Sequence, residues 1–131
     1  MCVIYRLEEK AGLIYYTFEP LNRFQEIVHG FSTRKGGTSF PPYDTLNLGL
    51  HVEDKKASVI ENRKRFVNSL GYSLEDAVAL EQVHGNKVVV VKESDKGRGM
   101  FSYEDFLASA DGMVTNKPGI LLTTYYADCV P

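Results

Sequence analysis

Imidazole and thiol groups are the scarcest reactive side chains of this sequence, and they bound its chemistry. The histidines are His29, His51 and His84; the cysteines are Cys2 and Cys129. Each histidine falls at a strand end or turn rather than in an amphipathic helix. His84, in EQVHGN, follows a strand-like run and precedes Gly85, so its ring can face a cleft. Cys129, in YYADCVP, follows Asp128 at the end of another such run, whereas Cys2 near the terminus reads as inert. A lone cysteine is commonly a buried small hydrophobe, and a lone turn histidine is commonly a hydrogen-bonded structural residue. Brought together from two strand ends, the pair allows a thiolate–imidazole dyad for nucleophilic catalysis. It equally allows two ligands to zinc, which favours cysteine sulfur and histidine nitrogen. The gap between them is unlike a compact zinc finger, and a catalytic zinc takes three protein ligands with one position open. The third would come from His29, His51, a carboxylate or a residue beyond Pro131.

A second kind of chemistry is anion binding. STRKGGTS sets Arg34 and Lys35 beside two glycines, and a guanidinium with exposed backbone N–H groups can hold a phosphate or carboxylate. KGRG at 96–99 is a weaker version, and a solvated turn is the competing reading of both. Arg63 interrupts an apolar helical stripe, four residues after Val59 and three before Phe66. It reads as a side chain snorkelling at the core edge. Otherwise its guanidinium is directed at a buried carboxylate, carbonyl or anion.

These residues need elements to position them. VIYRL and LIYYTFEP flank EEKAG and read as an opening hairpin, with EIVHGFSTR as a third strand. KGGTSFPPYD is a loop, and TLNLGLHV a short extended segment. DKKASVIENRKRFVNSLG is the clearest helix, with Asp54 as N-cap, Gly71 at C′, and Val59, Ile60, Phe66, Val67 and Leu70 on one face. Ser73 and Asp76 predict a capping-box turn. AVALEQV and KVVVVKE read as strands flanking the turn HGN; DGMVTN and GILLTTYYAD read as strands joined at KPG. SDKGRGMFSYEDFLAS is a polar, glycine-containing loop with room for one helical turn. The fold class is therefore α/β or α+β, strand-rich, and residues 1–131 read as a single domain.

Composition narrows the function classes. The chain is 44% hydrophobic and 24% charged, which suits a globular domain rather than a disordered one. A net charge of −2 does not suit a general nucleic-acid binder. No apolar run reaches the ~20 residues of a membrane span, and no signal peptide is visible, so the expected location is cytoplasmic with no membrane partner.

Taken in order, HGFSTRKGGTS, PPYDTLNLGLHV, ENRKRF, LEQVHGNKV, ADGMVTN and ADCVP resemble the YfiH/YlmD family, also known as the laccase-domain or multicopper polyphenol oxidoreductase family. The resemblance runs from about Val28 to Pro131 and implies a layered α/β/β/α-type sandwich grouped with putative cysteine hydrolases. It implies a mononuclear zinc held by His84, Cys129 and a histidine of a following segment not present here. The chain then corresponds to the N-terminal half of a longer domain, ending after the ADC motif. The implied activity is phosphorolysis of adenosine, inosine, guanosine or methylthioadenosine, with hydrolytic deamination of adenosine. Its small-molecule partners are then purine nucleoside and phosphate; the oligomeric state is left open. By motif position Arg34 and Asn47 are the candidates for phosphate and nucleoside, followed by His29 and then Arg63. Editing of peptidoglycan precursors is the hydrolytic alternative. Polyphenol oxidation is the copper alternative, which so few, widely spaced histidines suit less well. A third alternative is an inactive or associating fragment that lacks the third ligand and exposes GILLTTYY as an edge.

Overall fold

A computed structural model describes residues 4–127 and shows a mixed α/β chain with three small sheets. It divides into two compact units, one drawn from Met1–Asn47 and Asp54–Gly71, the other from Leu48–Glu53 and Tyr72–Pro131. Cys2, Asp128 and Cys129 lie outside the described residues.

In the first unit, β1 (Tyr5–Lys10) and β2 (Leu13–Phe18) form the expected hairpin, in register from Tyr5↔Phe18 to Lys10↔Leu13. Its two-residue turn has Ala11 at φ 52° and Gly12 at φ 77°, the signs a type I′ turn requires to match strand twist. Leu13, Tyr15 and Thr17 are buried while Phe18 is exposed, so the period-two pattern of β2 turns one face to the core. A short helix α1 (Glu19–Asn22) follows where the sequence reads as a continuing strand, and Pro20 sits in its first turn, where a missing N–H costs nothing. β3 (Phe31–Ser32) pairs antiparallel with β2.

Helix α2 (Lys56–Ser69) buries Val59 and Val67, and Phe66 meets Tyr15 of β2 edge-on at 5.8 Å. Gly71 at φ 85° occupies C′ as expected, its N–H donating to the Asn68 carbonyl at 3.0 Å. Asp54 is not the N-cap. Lys55 holds that position without a side-chain bond, because the Asp54 carboxylate is taken by Ser39, Asn47 and the Lys55 N–H. Arg63 is only 4% exposed, so its head group does not snorkel to solvent. Every fully buried side-chain nitrogen and oxygen among the described residues has a hydrogen-bond partner, which places Arg63 with the alternative of a guanidinium paired inside the protein. TLNLGLHV is turn and irregular chain rather than an extended segment.

The second unit opens with the expected capping box: Ser73 Oγ donates to Asp76 Oδ2 at 2.8 Å around a 3₁₀ turn at Leu74–Asp76. The strands β4 (Ala77–Ala79), β5 (Val88–Val90), β6 (Gly112–Val114) and β7 (Leu121–Thr123) are shorter than their sequence runs. His84-Gly85 is a bend and Pro118-Gly119 a turn, yet the strands beside them do not pair with each other. Instead β4 pairs parallel with β7, and β5 pairs parallel with β6. Val78, Val91 and Ile120 form the core here, with Leu107, Met113 and Leu122 packed against it. No helix among the described residues is long and apolar enough to cross a membrane.

Ala11 is the weak point of the hairpin, since a non-glycine residue in the left-handed region is disfavoured by about 1–2 kcal/mol. Ala11→Asn creates the Asn-Gly pair that type I′ turns prefer. It is expected to raise the unfolding midpoint in urea, by about 1 kcal/mol of stability; an unchanged or lower midpoint would contradict the turn assignment.

Candidate functional site

His84 stands on the connection from β4 to β5, in a run from Val83 to Lys87 that is exposed throughout. The backbone of that run is gathered by one side chain. The Asp111 carboxylate accepts the N–H groups of Val83 at 2.9 Å and His84 at 2.8 Å on Oδ1, and of Gly85 at 2.5 Å on Oδ2. His84 sits at φ 59°, the left-handed region that L residues rarely adopt. The Gly85 N–H bond, followed by those of His84 and Val83 and the His84 charge, holds the Asp111 carboxyl below its ordinary range against the opposing effect of burial. Asp111 is a residue that sequence reasoning placed only within the strand-start motif ADGMVTN. Its signal was an Asp-Gly pair opening a strand, a residue type suited to accepting backbone N–H bonds.

The segments that carry His84 and lead toward Cys129 leave β4 and β7 at the carboxyl ends of that parallel pair, where open α/β sheets place their ligands. They are tied together: Gln82 Oε1, two residues before His84, accepts the Tyr125 N–H at 2.8 Å, and Tyr125 lies four residues before Cys129 in sequence. A bridge between Glu81 and Ser109 brings in a third segment, and the Ser109 hydroxyl donates to the Glu81 carboxylate. His51 packs at a tilt against Tyr103, with ring centres 6.3 Å apart. Among the described residues no three His, Cys, Asp or Glu side chains gather as a metal site. An imidazole and a thiolate are donor types that fit zinc, but the described residues contain one of the two.

The first unit holds the other candidates. Arg34 has a side chain 72% exposed, and its Nε and Nη2 grip the Asp44 carbonyl at 3.1 and 2.9 Å, with Nη2 also 3.1 Å from Asp44 Oδ2. An exposed pair of this kind adds little stability but fixes the direction of the guanidinium. The Arg34 carbonyl accepts the N–H groups of Thr45 and Leu46, so its backbone is fixed as well. Asn47 donates from Nδ2 to Asp54 Oδ2 at 3.0 Å. His29 accepts the Phe18 N–H on Nε2 at 2.7 Å and stacks on the Phe18 ring, an arrangement that requires that nitrogen to be unprotonated. Arg63 is buried on α2, one residue after Asn62.

Asn62 was missed by sequence reasoning and organises this unit's loops. It is fully buried; Oδ1 accepts Thr38 N–H at 2.7 Å, while Nδ2 donates to Ser39 Oγ, the Thr45 carbonyl and the Asn47 carbonyl at 2.9, 3.2 and 2.9 Å. Ser39 in turn donates to Asp54 Oδ2 at 2.5 Å. Gly37 has to be glycine for the two loop strands to meet, because a Cβ there would lie 2.0 Å from the Thr45 carbonyl oxygen. A poor helix former within a helix was the available signal, since asparagine there serves a partner outside the helix.

A model of the family described as multi-copper polyphenol oxidoreductase laccase matches residues 28–131, and the chain belongs to that family. It is 39% identical to the purine nucleoside phosphorylase YlmD of Bacillus subtilis over 107 residues, 82% of this chain and 38% of that protein. It is 41% identical to its namesake in Geobacillus stearothermophilus over 108 residues, 82% of this chain and 39% of the relative. The crystal structure of YlmD from Geobacillus stearothermophilus superposes with a TM-score of 0.80 at 36% identity, covering 91% of this chain and 43% of that one. The Bacillus licheniformis hypothetical protein YfiH gives 0.79 at 34% identity, covering 90% and 42%. The chain thus spans about two fifths of the length of the curated relatives it matches. The mixed α/β class and the family resemblance expected from sequence are both upheld.

Two outcomes follow for the Asn62 network. Asn62→Ala leaves several buried partners unsatisfied and is expected to cost about 2–3 kcal/mol in urea unfolding. The second concerns pH. Burial raises the Asp54 carboxyl, but bonds from Ser39, Asn47 and Lys55 N–H, with the Lys55 charge, outweigh it and leave it lowered. A lowered folded value means that this contribution is complete above the unfolded carboxylate range and is lost as pH falls beneath it. Amide exchange at Thr38 and Ser39 is therefore expected to accelerate below about pH 4, beyond its intrinsic pH dependence; Asp54→Asn should remove that acceleration.

Proposed function

We propose that this chain is the N-terminal part of a longer purine nucleoside phosphorylase, with residues 1–131 contributing to one catalytic domain. The observation that supports it most is the tie between Gln82 and Tyr125, because it draws the His84 segment and the segment leading toward Cys129 to one end of the β4–β7 pair. The relatives, named as purine nucleoside phosphorylases, supply the reaction class. In phosphorolysis, phosphate attacks the anomeric carbon of the ribose as the bond to the base breaks, and the base leaves with a proton.

His84 and Cys129 would hold zinc, with a third ligand from beyond residue 131. Zinc bound there would supply Lewis-acid polarisation or an activated water, and the water would suit deamination of adenosine as a second reaction. Arg34 would bind phosphate oxygens through its guanidinium fork. Asn47 would hydrogen-bond the nucleoside. His29, whose Nε2 is taken by Phe18 N–H, would orient one of these groups, and the buried Arg63 would support them from the helix.

The test is release of hypoxanthine from inosine by the full-length protein, with and without inorganic phosphate. Release that requires phosphate and falls by orders of magnitude in His84→Ala is the expected result. Phosphate-independent turnover of a peptidoglycan precursor would favour the hydrolase. Copper-dependent oxidation of a phenol, the reaction in the family's description, would replace this reading altogether.

A further inference from the structure

We infer that Asp111 is the positioning residue for His84: its carboxylate sets the direction of the imidazole by gripping the backbone on both sides of it. The role of His84 rests on the reading above; the grip itself rests on geometry alone. Three successive N–H groups, of Val83, His84 and Gly85, converge on the one carboxylate at 2.5–2.9 Å. Successive N–H groups point the same way only where the chain is tightly bent, and His84 at φ 59° is that bend. Relaxing His84 to an ordinary φ would turn its N–H off the carboxylate and swing its Cβ, and with it the ring, to another direction.

Other anchors are weak in this loop. Residues 83–87 are all exposed, so packing does little to hold them. Asp111 itself is well fixed: its N–H and that of Gly112 both donate to the Lys87 carbonyl at 3.2 Å, and Gly112 pairs with Val88 in the β5–β6 register. The carboxylate therefore stands one residue before β6, the strand beside the one into which the loop runs. There is also little slack, since a Cβ on Gly85 would lie 3.3 Å from Asp111 Oδ2. A plain connection would be made at less cost by glycine at position 84. A histidine held in that conformation by a carboxylate is the arrangement expected where strain serves a site.

The experiment compares Asp111→Ala, Asp111→Asn and His84→Ala in the full-length protein. Asp76→Ala, which breaks the Ser73 capping box in the same unit, serves as the stability control. Measured are thermal midpoint, zinc affinity by chelator competition, kcat and KM for phosphorolysis, and amide exchange at 83–85 with the His84 ring resonances by NMR. Asp111→Ala is expected to speed exchange at all three amides and disperse the ring resonances. It should also lower zinc affinity or kcat by about 10–100-fold, the usual effect of removing a partner behind a ligand. Asp111→Asn should fall between, since its oxygen can still accept from Val83 and His84 while its amide faces the Gly85 N–H. Asp76→Ala should lower the midpoint without moving zinc affinity, kcat or the ring signals. Should Asp111→Ala resemble Asp76→Ala in all of these, Asp111 is structural only and the inference fails. If His84→Ala retains full phosphorolysis, the catalytic reading fails instead, and the ring resonances and exchange rates still decide whether Asp111 holds His84.

Discussion

The second unit depends on the parallel pairing of β4 with β7. Two strands separated by some forty residues of chain can pair only after the intervening segment has folded back, and each parallel residue pair returns little on its own. What makes the pairing worthwhile is burial. Ala77, Val78 and Ala79 are almost fully enclosed, and Val78 lies in the core with Val91 and Ile120. The strand is satisfied on both edges: Ala77 and Ala79 exchange backbone bonds with Gly97 and Arg98, while Val78 accepts the Thr123 hydroxyl at 2.8 Å. Small residues suit such a strand because chain approaches it closely on every side. Both segments of interest for chemistry then begin where this pair ends.

The two units hold their irregular chain by different means. In the first, a buried neutral amide, Asn62, serves four loop positions at once, and a carboxylate at Asp54 closes the network near the start of α2. A neutral hub suits a buried position, since a charge there would carry a large desolvation cost. In the second, the Asp111 carboxylate grips an exposed loop, where water bears much of the cost of its charge and charge-assisted bonds shorten and strengthen the grip. The residues it restrains include an exposed histidine, His84.

Much of the local structure was legible. The β1–β2 hairpin followed from the β-branched and aromatic runs flanking EEKAG, although the turn itself is only Ala11-Gly12, and the helix, its Gly71 terminus and the Ser73–Asp76 box followed from spacing over a few positions. The strand partners were not. HGN and KPG have turn composition, and the chain does bend at one and turn at the other, so pairing across them was the natural expectation; yet KVVVVKE and AVALEQV, as apolar runs without alternation, name no partner. Arg63 misled for a related reason. Position on a helical stripe tells which way a side chain points, but whether a cation there meets solvent or a buried partner depends on chain from elsewhere. Of the candidate site, residue types and their motif order were readable; Asp111 and Asn62 were overlooked because their work is done on the backbone of distant loops.

The sequence by itself determined the hairpin, the helix, the Ser73–Asp76 box and the family, because each depends on neighbours within a few residues or on motifs in linear order. Only the tertiary structure decided that β4 takes β7 and β5 takes β6, that Arg63 is buried, and that a carboxylate from position 111 governs the conformation at 84. Those outcomes turn on which distant groups satisfy one another once the chain has closed. The hydrogen-bonding needs of backbone and side chain alone leave many partners open, and burial in a particular core selects among them.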